Sequence, residues 1–182
     1  MKTRYAKVFS NLSADTYKEF LKECIEKTDG DILEIGCSQH STGFILDCIE
    51  NTNKTLTSLT GIVGDYRLIS LMFPKADNHI WLSNFENWDD LFSYVLQSGT
   101  KYSVIFIDSY PWVTRRKALN RLYSICEYMV IHDAKLLIEG KFIEPYKYFE
   151  NLELCLPMKP YPEGDIYNST LICSIPKIQE KI

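Results

Sequence analysis

Tyr102-Ser-Val-Ile-Phe-Ile-Asp108 and Tyr128-Met-Val-Ile-His-Asp133 decide how this chain is read. Each is a short, β-branched, apolar run that stops abruptly at an acid, and one helix-length segment separates them. Continuous apolar runs of this kind read as parallel strands covered on both faces. In an open α/β sheet, ligands lie beyond the carboxyl ends of the strands. Asp108, His132 and Asp133 are therefore expected together at the rim of one crevice.

Working outward, the same alternation extends through the chain. Ser13 caps a first helix with Tyr17, Phe20, Leu21, Cys24 and Ile25 at helical spacing. Asp31-Ile-Leu-Glu-Ile-Gly36 reads as the first buried strand, and Ser41-Thr42 as the cap of a second helix carrying Phe44, Ile45, Cys48 and Ile49. A strand is expected around Leu59 to Val63, closed by Gly64-Asp65, then a short helix from Tyr66 to Phe73 stopped at Pro74. His79-Ile-Trp-Leu82 forms the third strand, with His79 itself on the surface. A capped helix with Trp88, Leu91, Phe92, Val95 and Leu96 follows, ended by Gly99.

A helix from about Thr114 to Glu127 turns Ala118, Leu119, Leu122 and Cys126 inward, and Arg115-Arg116-Lys117 reads as its solvated first turns. Beyond Asp133, residues Leu136 to Phe149 are helical or irregular. Leu152 to Met158 and Thr170 to Ile175 then form two strands of an antiparallel hairpin. Alternation at this spacing implies a doubly wound, mostly parallel α/β sheet of seven strands with a C-terminal antiparallel hairpin. No linker or repeat interrupts it, so residues 1–182 are read as one domain: an N-terminal helix in 1–30 and the sheet core in 31–182.

Composition excludes several classes. At 182 residues, a single domain buries about 70% of its unfolded surface. A formal net charge of −4 offers no field for a phosphate backbone, so a nucleic-acid partner is disfavoured. The N-terminus has no apolar stretch of signal-peptide type, and no run approaches a membrane span. The six cysteines are scattered without a Cys-x-x-Cys pair, which suggests reduced thiols and a cytoplasmic protein.

The motif Leu33-Glu-Ile-Gly-Cys-Ser-Gln-His-Ser-Thr42 and the layout around it resemble the class I S-adenosylmethionine-dependent methyltransferases, whose fold is Rossmann-like. The resemblance implies a cofactor loop at Gly36, where glycine lets the backbone approach a ligand at a helix N-terminus. The family's usual second glycine is absent, with Ser38 and Gln39 in its region. Carried over, the resemblance makes Glu34, Gly36, Ser38, His40, Ser41, Asp65, Asn84, Phe85 and Asp108 cofactor-binding residues. Asp65 is either the acid for the ribose hydroxyls or the N-cap of the next helix. Trp88 is either core or adenine platform.

Among these enzymes, the catechol O-methyltransferase-like members bind Mg²⁺ through acids closing the fourth and fifth strands. That implies a metal site at Asp108, His132 and Asp133, taking Mg²⁺ or, because of the imidazole nitrogen, Mn²⁺. The family's lysine base falls on Pro111, which leaves Lys135 or His132 as the catalytic base. An ion pair between Arg115 and Asp108 or Asp133 argues against the metal.

The activity implied is methyl transfer to an oxygen of a small molecule, in a monomer or a homo-oligomer. Two alternatives stand beside it: a methyltransferase-fold binding or regulatory subunit without activity, and a metal-dependent hydrolase or lyase.

Overall fold

The computed structural model describes residues 16–60, 71, 73, 77–83, 85–132, 151–155 and 170–174. Helix α1 is Thr16–Glu26, strand β1 is Ile32–Ile35 and helix α2 is Gln39–Ile49. Strands β2 (Leu56–Leu59) and β3 (His79–Leu82) follow, then helix α3 (Trp88–Gln97) and strand β4 (Tyr102–Ile107). Helix α4 (Trp112–Leu122) runs through a 3-10 turn (Tyr123–Ile125) into β5 (Cys126–His132). The last strands are β6 (Asn151–Cys155) and β7 (Thr170–Ser174).

The sheet order is β3-β2-β1-β4-β5-β7-β6. Strands β1 to β5 are mutually parallel, as the apolar runs imply. Strand β7 pairs antiparallel with β5, and β6 antiparallel with β7; residues 156–169 between them lie outside the described residues. Because β1 pairs with both β2 and β4, the chain reverses its winding at β1. The carboxyl ends of β1 and β4 therefore define the topological switch point, where such sheets leave a crevice.

Side-chain alternation builds the two layers. Leu33 and Ile35 of β1, with Ile105 and Ile107 of β4, join Leu91, Phe92 and Val95 of α3 and Leu119 and Leu122 of α4 in one core. On the opposite face, Ile32, Val104, Phe106 and Val130 pack with Tyr17, Leu21 and Ile25 of α1 and Ile45 and Ile49 of α2. Burying each of these side chains contributes roughly 1.5–3 kcal/mol. Glu34 sits among the second set by the same period-two rule, fully buried.

Four expectations need correction. Strand β2 is Leu56–Leu59 and so begins three residues before the expected Leu59, because Ile32 to Ile35 of β1 hold it in that register; residues 61–63 lie outside the described residues. Helix α2 is capped not by Ser41-Thr42 but by Ser38, whose Oγ accepts from the Ser41 N–H at 3.0 Å. Helix α4 starts at Trp112 and ends at Leu122, so Cys126 opens β5 opposite Tyr102 instead of facing inward from a helix. Arg115 is buried instead of solvated, because its guanidinium is held by the ends of β4 and β5. Asp65, Asn84, Asp133 and Lys135, most of the helix expected over 66–73, and the 136–149 segment lie outside the described residues. Among the described residues, no helix is long and apolar enough to cross a membrane.

Candidate active site

The switch point is closed by backbone. Gly36 N–H donates to the Leu59 carbonyl at 3.0 Å, and Asp108 N–H to the Ile35 carbonyl at 2.9 Å, so both ladders continue one residue past their strands. Gly36 has φ +89°, and a β-carbon there would fall 2.3 Å from the Asp108 carbonyl oxygen and 2.7 Å from Ser109 Cα. The β4 exit by itself therefore requires glycine here, independently of any ligand at the turn. The left-handed φ is the second reason no other residue fits comfortably.

Directly before it, Glu34 holds the turn into α2. Its Oε1 accepts from Ser41 Oγ (2.6 Å), and its Oε2 from Thr42 Oγ1 (2.8 Å) and Ser58 Oγ (2.7 Å). Burial, with the charge of Asp108, outweighs the pull of the three hydroxyls and leaves the carboxyl raised to about 7. Ser38 Oγ and Ser41 Oγ lie 2.8 Å apart. Since the Ser41 proton goes to Glu34, Ser38 donates in that pair. Glu34 therefore acts on the loop indirectly, by fixing the first turn of α2, because both of its oxygens are engaged inside the protein.

The network extends to β3. His79 Nε2 lies 2.9 Å from Ser58 Oγ. The Ser58 proton is directed at Glu34, so His79 is the donor. Its ring is partly buried against Trp81, 4.2 Å between centroids, and burial lowers its pKa to about 4. The expectation of a surface histidine fails because Ser58, on the neighbouring strand, presents a hydroxyl to it. Strand alternation places Ser58 on the face of Glu34, the one signal in sequence that could have exposed the link.

At the ends of β4 and β5 a second group forms. Asp108 Oδ1 accepts from Arg115 Nη2 at 2.7 Å and faces His132 Nδ1 at 3.3 Å. Arg115 Nε donates to the Ser109 carbonyl at 2.8 Å, and Nη1 to the His132 carbonyl. One guanidinium from the first turn of α4 thus ties both strand ends together. Burial works against ionisation of Asp108, but the hydrogen bond and electrostatic attraction of His132 and the charge of Arg115 outweigh it, holding the carboxyl below its usual value. Tyr17 of α1 lies edge-on to the His132 ring, 4.8 Å between centroids at 74°.

Of the expected site residues, Glu34, Gly36, Ser38 and Ser41 gather at the turn after β1, and Asp108 and His132 at the neighbouring strand ends. His40 is exposed in the first turn of α2, with Gln39 as its hydrogen-bonding neighbour. Phe85 packs against the core under Tyr94, 5.4 Å between centroids, and Trp88 packs against Phe92 at 5.7 Å. Trp88 is thus partly buried against the first core. Tyr110 and Val113, in the loop and helix start beyond Asp108, are exposed apolar side chains beside this edge.

The described part of the expected metal set does not suit a dication. The oxygen of Asp108 nearest His132 already receives a guanidinium N–H, and the positive charge of Arg115 opposes a second cation there. Among the described residues, no group of three His, Cys, Asp or Glu side chains is arranged to hold a metal ion.

No protein-family model matches the sequence, and no curated protein sequence matches it. Solved structures do resemble it. An O-methyltransferase from Bacillus cereus, in complex with S-adenosylhomocysteine, superposes with a TM-score of 0.64 at 11% identity, over 91% of this chain and 83% of that one. An rRNA methylase from Streptococcus thermophilus gives 0.60 at 11% identity over 93% and 100%. The N-methyltransferase NodS from Bradyrhizobium japonicum WM9, with S-adenosylhomocysteine, gives 0.59 at 12% over 90% and 87%. The chain has the α/β Rossmann-like fold of the S-adenosylmethionine-dependent methyltransferases. Those three proteins methylate different kinds of acceptor, so the fold leaves the acceptor open.

Proposed function

We propose that this protein is an S-adenosylmethionine-dependent methyltransferase acting on an oxygen of a small molecule. The observation carrying this reading is the convergence, at one switch point, of the Gly36 turn, the Ser38-capped start of α2 and the Asp108–His132 pair. The coarser reading, methyl transfer from this cofactor, is supported by the fold it shares with cofactor-bound methyltransferases.

The cofactor supplies an activated methyl on a sulfonium. The chain supplies its placement: Gly36, Ser38, His40 and Ser41 line the turn beside it, with Asp65, Asn84 and Phe85 assigned to its nucleoside by the resemblance. In this reading Asp108 orients His132, the base, which takes the acceptor's hydroxyl proton as the oxygen attacks. Holding two reactants in line is worth much of the barrier, and proton removal adds roughly 10²–10⁴-fold. Lys135 and Asp133, next in sequence, complete the acceptor side in this reading. The acceptor is a small molecule met in the cytoplasm, and a second copy of the chain covers the edge.

A second reading is favoured by the turn itself: with one glycine and an α2 start pinned by Glu34, the chain serves as a methyltransferase-fold subunit without activity. Thermal denaturation with S-adenosylmethionine and S-adenosylhomocysteine separates the two. A ligand at 100 times its Kd stabilises by about 2.7 kcal/mol. A raised melting temperature, followed by label transfer from methyl-tritiated cofactor to a panel of phenols and catechols, supports the enzyme. An unchanged melting temperature at millimolar cofactor supports the silent subunit.

A further inference from the structure

We infer that Arg115 provides, from within the chain, the positive charge that a divalent cation provides in catechol O-methyltransferase-like sites, and that it fixes His132 in the Nδ1–H tautomer. The use of His132 as a base rests on the methyltransferase reading; the charge arrangement does not.

Three donors of one buried side chain are committed here. Arg115 reaches Asp108 Oδ1 at 2.7 Å, the Ser109 carbonyl at 2.8 Å and the His132 carbonyl. The first two belong to the exit of β4 and the third to the end of β5. A guanidinium is planar and permanently charged, so one group both spans the two strand ends and neutralises the acid between them. An Asp108 carboxylate in an ion pair with Arg115 has no proton to give. The 3.3 Å contact with His132 is then a hydrogen bond only if Nδ1 carries the hydrogen. In the neutral ring, the lone pair falls on Nε2. The edge-on ring of Tyr17 holds the imidazole plane from the α1 side.

Arg115 is thus a positioning residue. It acts on chemistry only through Asp108 and His132, and its donor occupies the Asp108 oxygen that faces His132.

Nitrogen-15 NMR of the histidine side chains in the full chain tests both halves without cofactor or acceptor, using MnCl₂ as the probe. His132 signals are assigned by their loss in His132→Gln. The expected wild-type result is an Nδ1–H pattern at neutral pH and no selective Mn²⁺ broadening of His132. Arg115→Met should gain Mn²⁺ broadening at His132, and Arg115→Lys, which keeps the charge, should remain unbroadened. An Nε2–H pattern in the wild type overturns the tautomer assignment. Wild-type broadening that disappears in Asp108→Asn, or an Arg115→Met that folds and stays unbroadened, overturns the charge assignment. If Arg115→Met does not fold, the wild-type, Arg115→Lys and Asp108→Asn spectra decide. Cofactor binding is absent from every arm, so a failure here leaves the proposed methyl transfer to its own titration.

Discussion

A β-carbon on Gly36 would stand 2.3 Å from the carbonyl oxygen of Asp108, closer than any unstrained contact allows. The turn that opens the candidate cofactor site and the acid that closes β4 are therefore one mechanical unit. Substituting Gly36→Ala forces the ends of β1 and β4 apart and puts a side chain at φ +89°. Overpacking costs about 1–3 kcal/mol, and the left-handed conformation adds roughly 1–2. Urea denaturation should show the sum. A variant as stable as the wild type would mean that the two strand ends are not in contact.

Glu34 makes stability depend on pH in a stated window. Its folded pKa of about 7 lies above the ordinary carboxyl value of 4.5. The folded state therefore holds a proton that the unfolded chain has released between these values. Stability is highest below about 4.5 as far as this group is concerned, falls as pH rises to about 7, and is flat above. At 1.36 kcal/mol per unit, the loss is on the order of 3 kcal/mol. Denaturant midpoints measured from pH 4.5 to 8 should show this slope, and Glu34→Gln should flatten it. An unchanged slope in that variant would assign the dependence to another group.

Breaking the Arg115–Asp108 pair on one side leaves a buried charge. Arg115→Met should cost about 3–5 kcal/mol, whereas the double variant Arg115→Met with Asp108→Asn should recover part of that loss. Equilibrium unfolding of the single and double variants reads the coupling. Additive losses would show that the two side chains do not share an interaction, contrary to their 2.7 Å contact.

Tyr17 links the first helix to the site. Its ring lies 4.8 Å from Phe106 and 4.8 Å from His132, measured between centroids. Truncation to Ala should cost about 3–5 kcal/mol, by analogy with other large aromatic side chains. It should also broaden the His132 ring resonances as the imidazole gains freedom. Sharp, unshifted resonances would show that α1 does not hold the ring.

The amino-acid order alone determined the alternation of strands and helices, since period-two and period-3.6 apolar patterns are local properties of the chain. It placed Asp108 and His132 at neighbouring strand ends for the same reason: an apolar run stops where a charge appears. What those side chains face depended on the sheet order, because partners on other strands and helices are separated in sequence. Tertiary packing alone decided that Arg115, in a run that reads as a solvated basic turn, is buried between two strand ends. It also decided that Gly36 yields to the Asp108 backbone, and that Glu34 and His79 share the hydroxyl of Ser58. A buried charge or polar group must find its complement wherever the fold brings one within reach, and no local pattern records that distance.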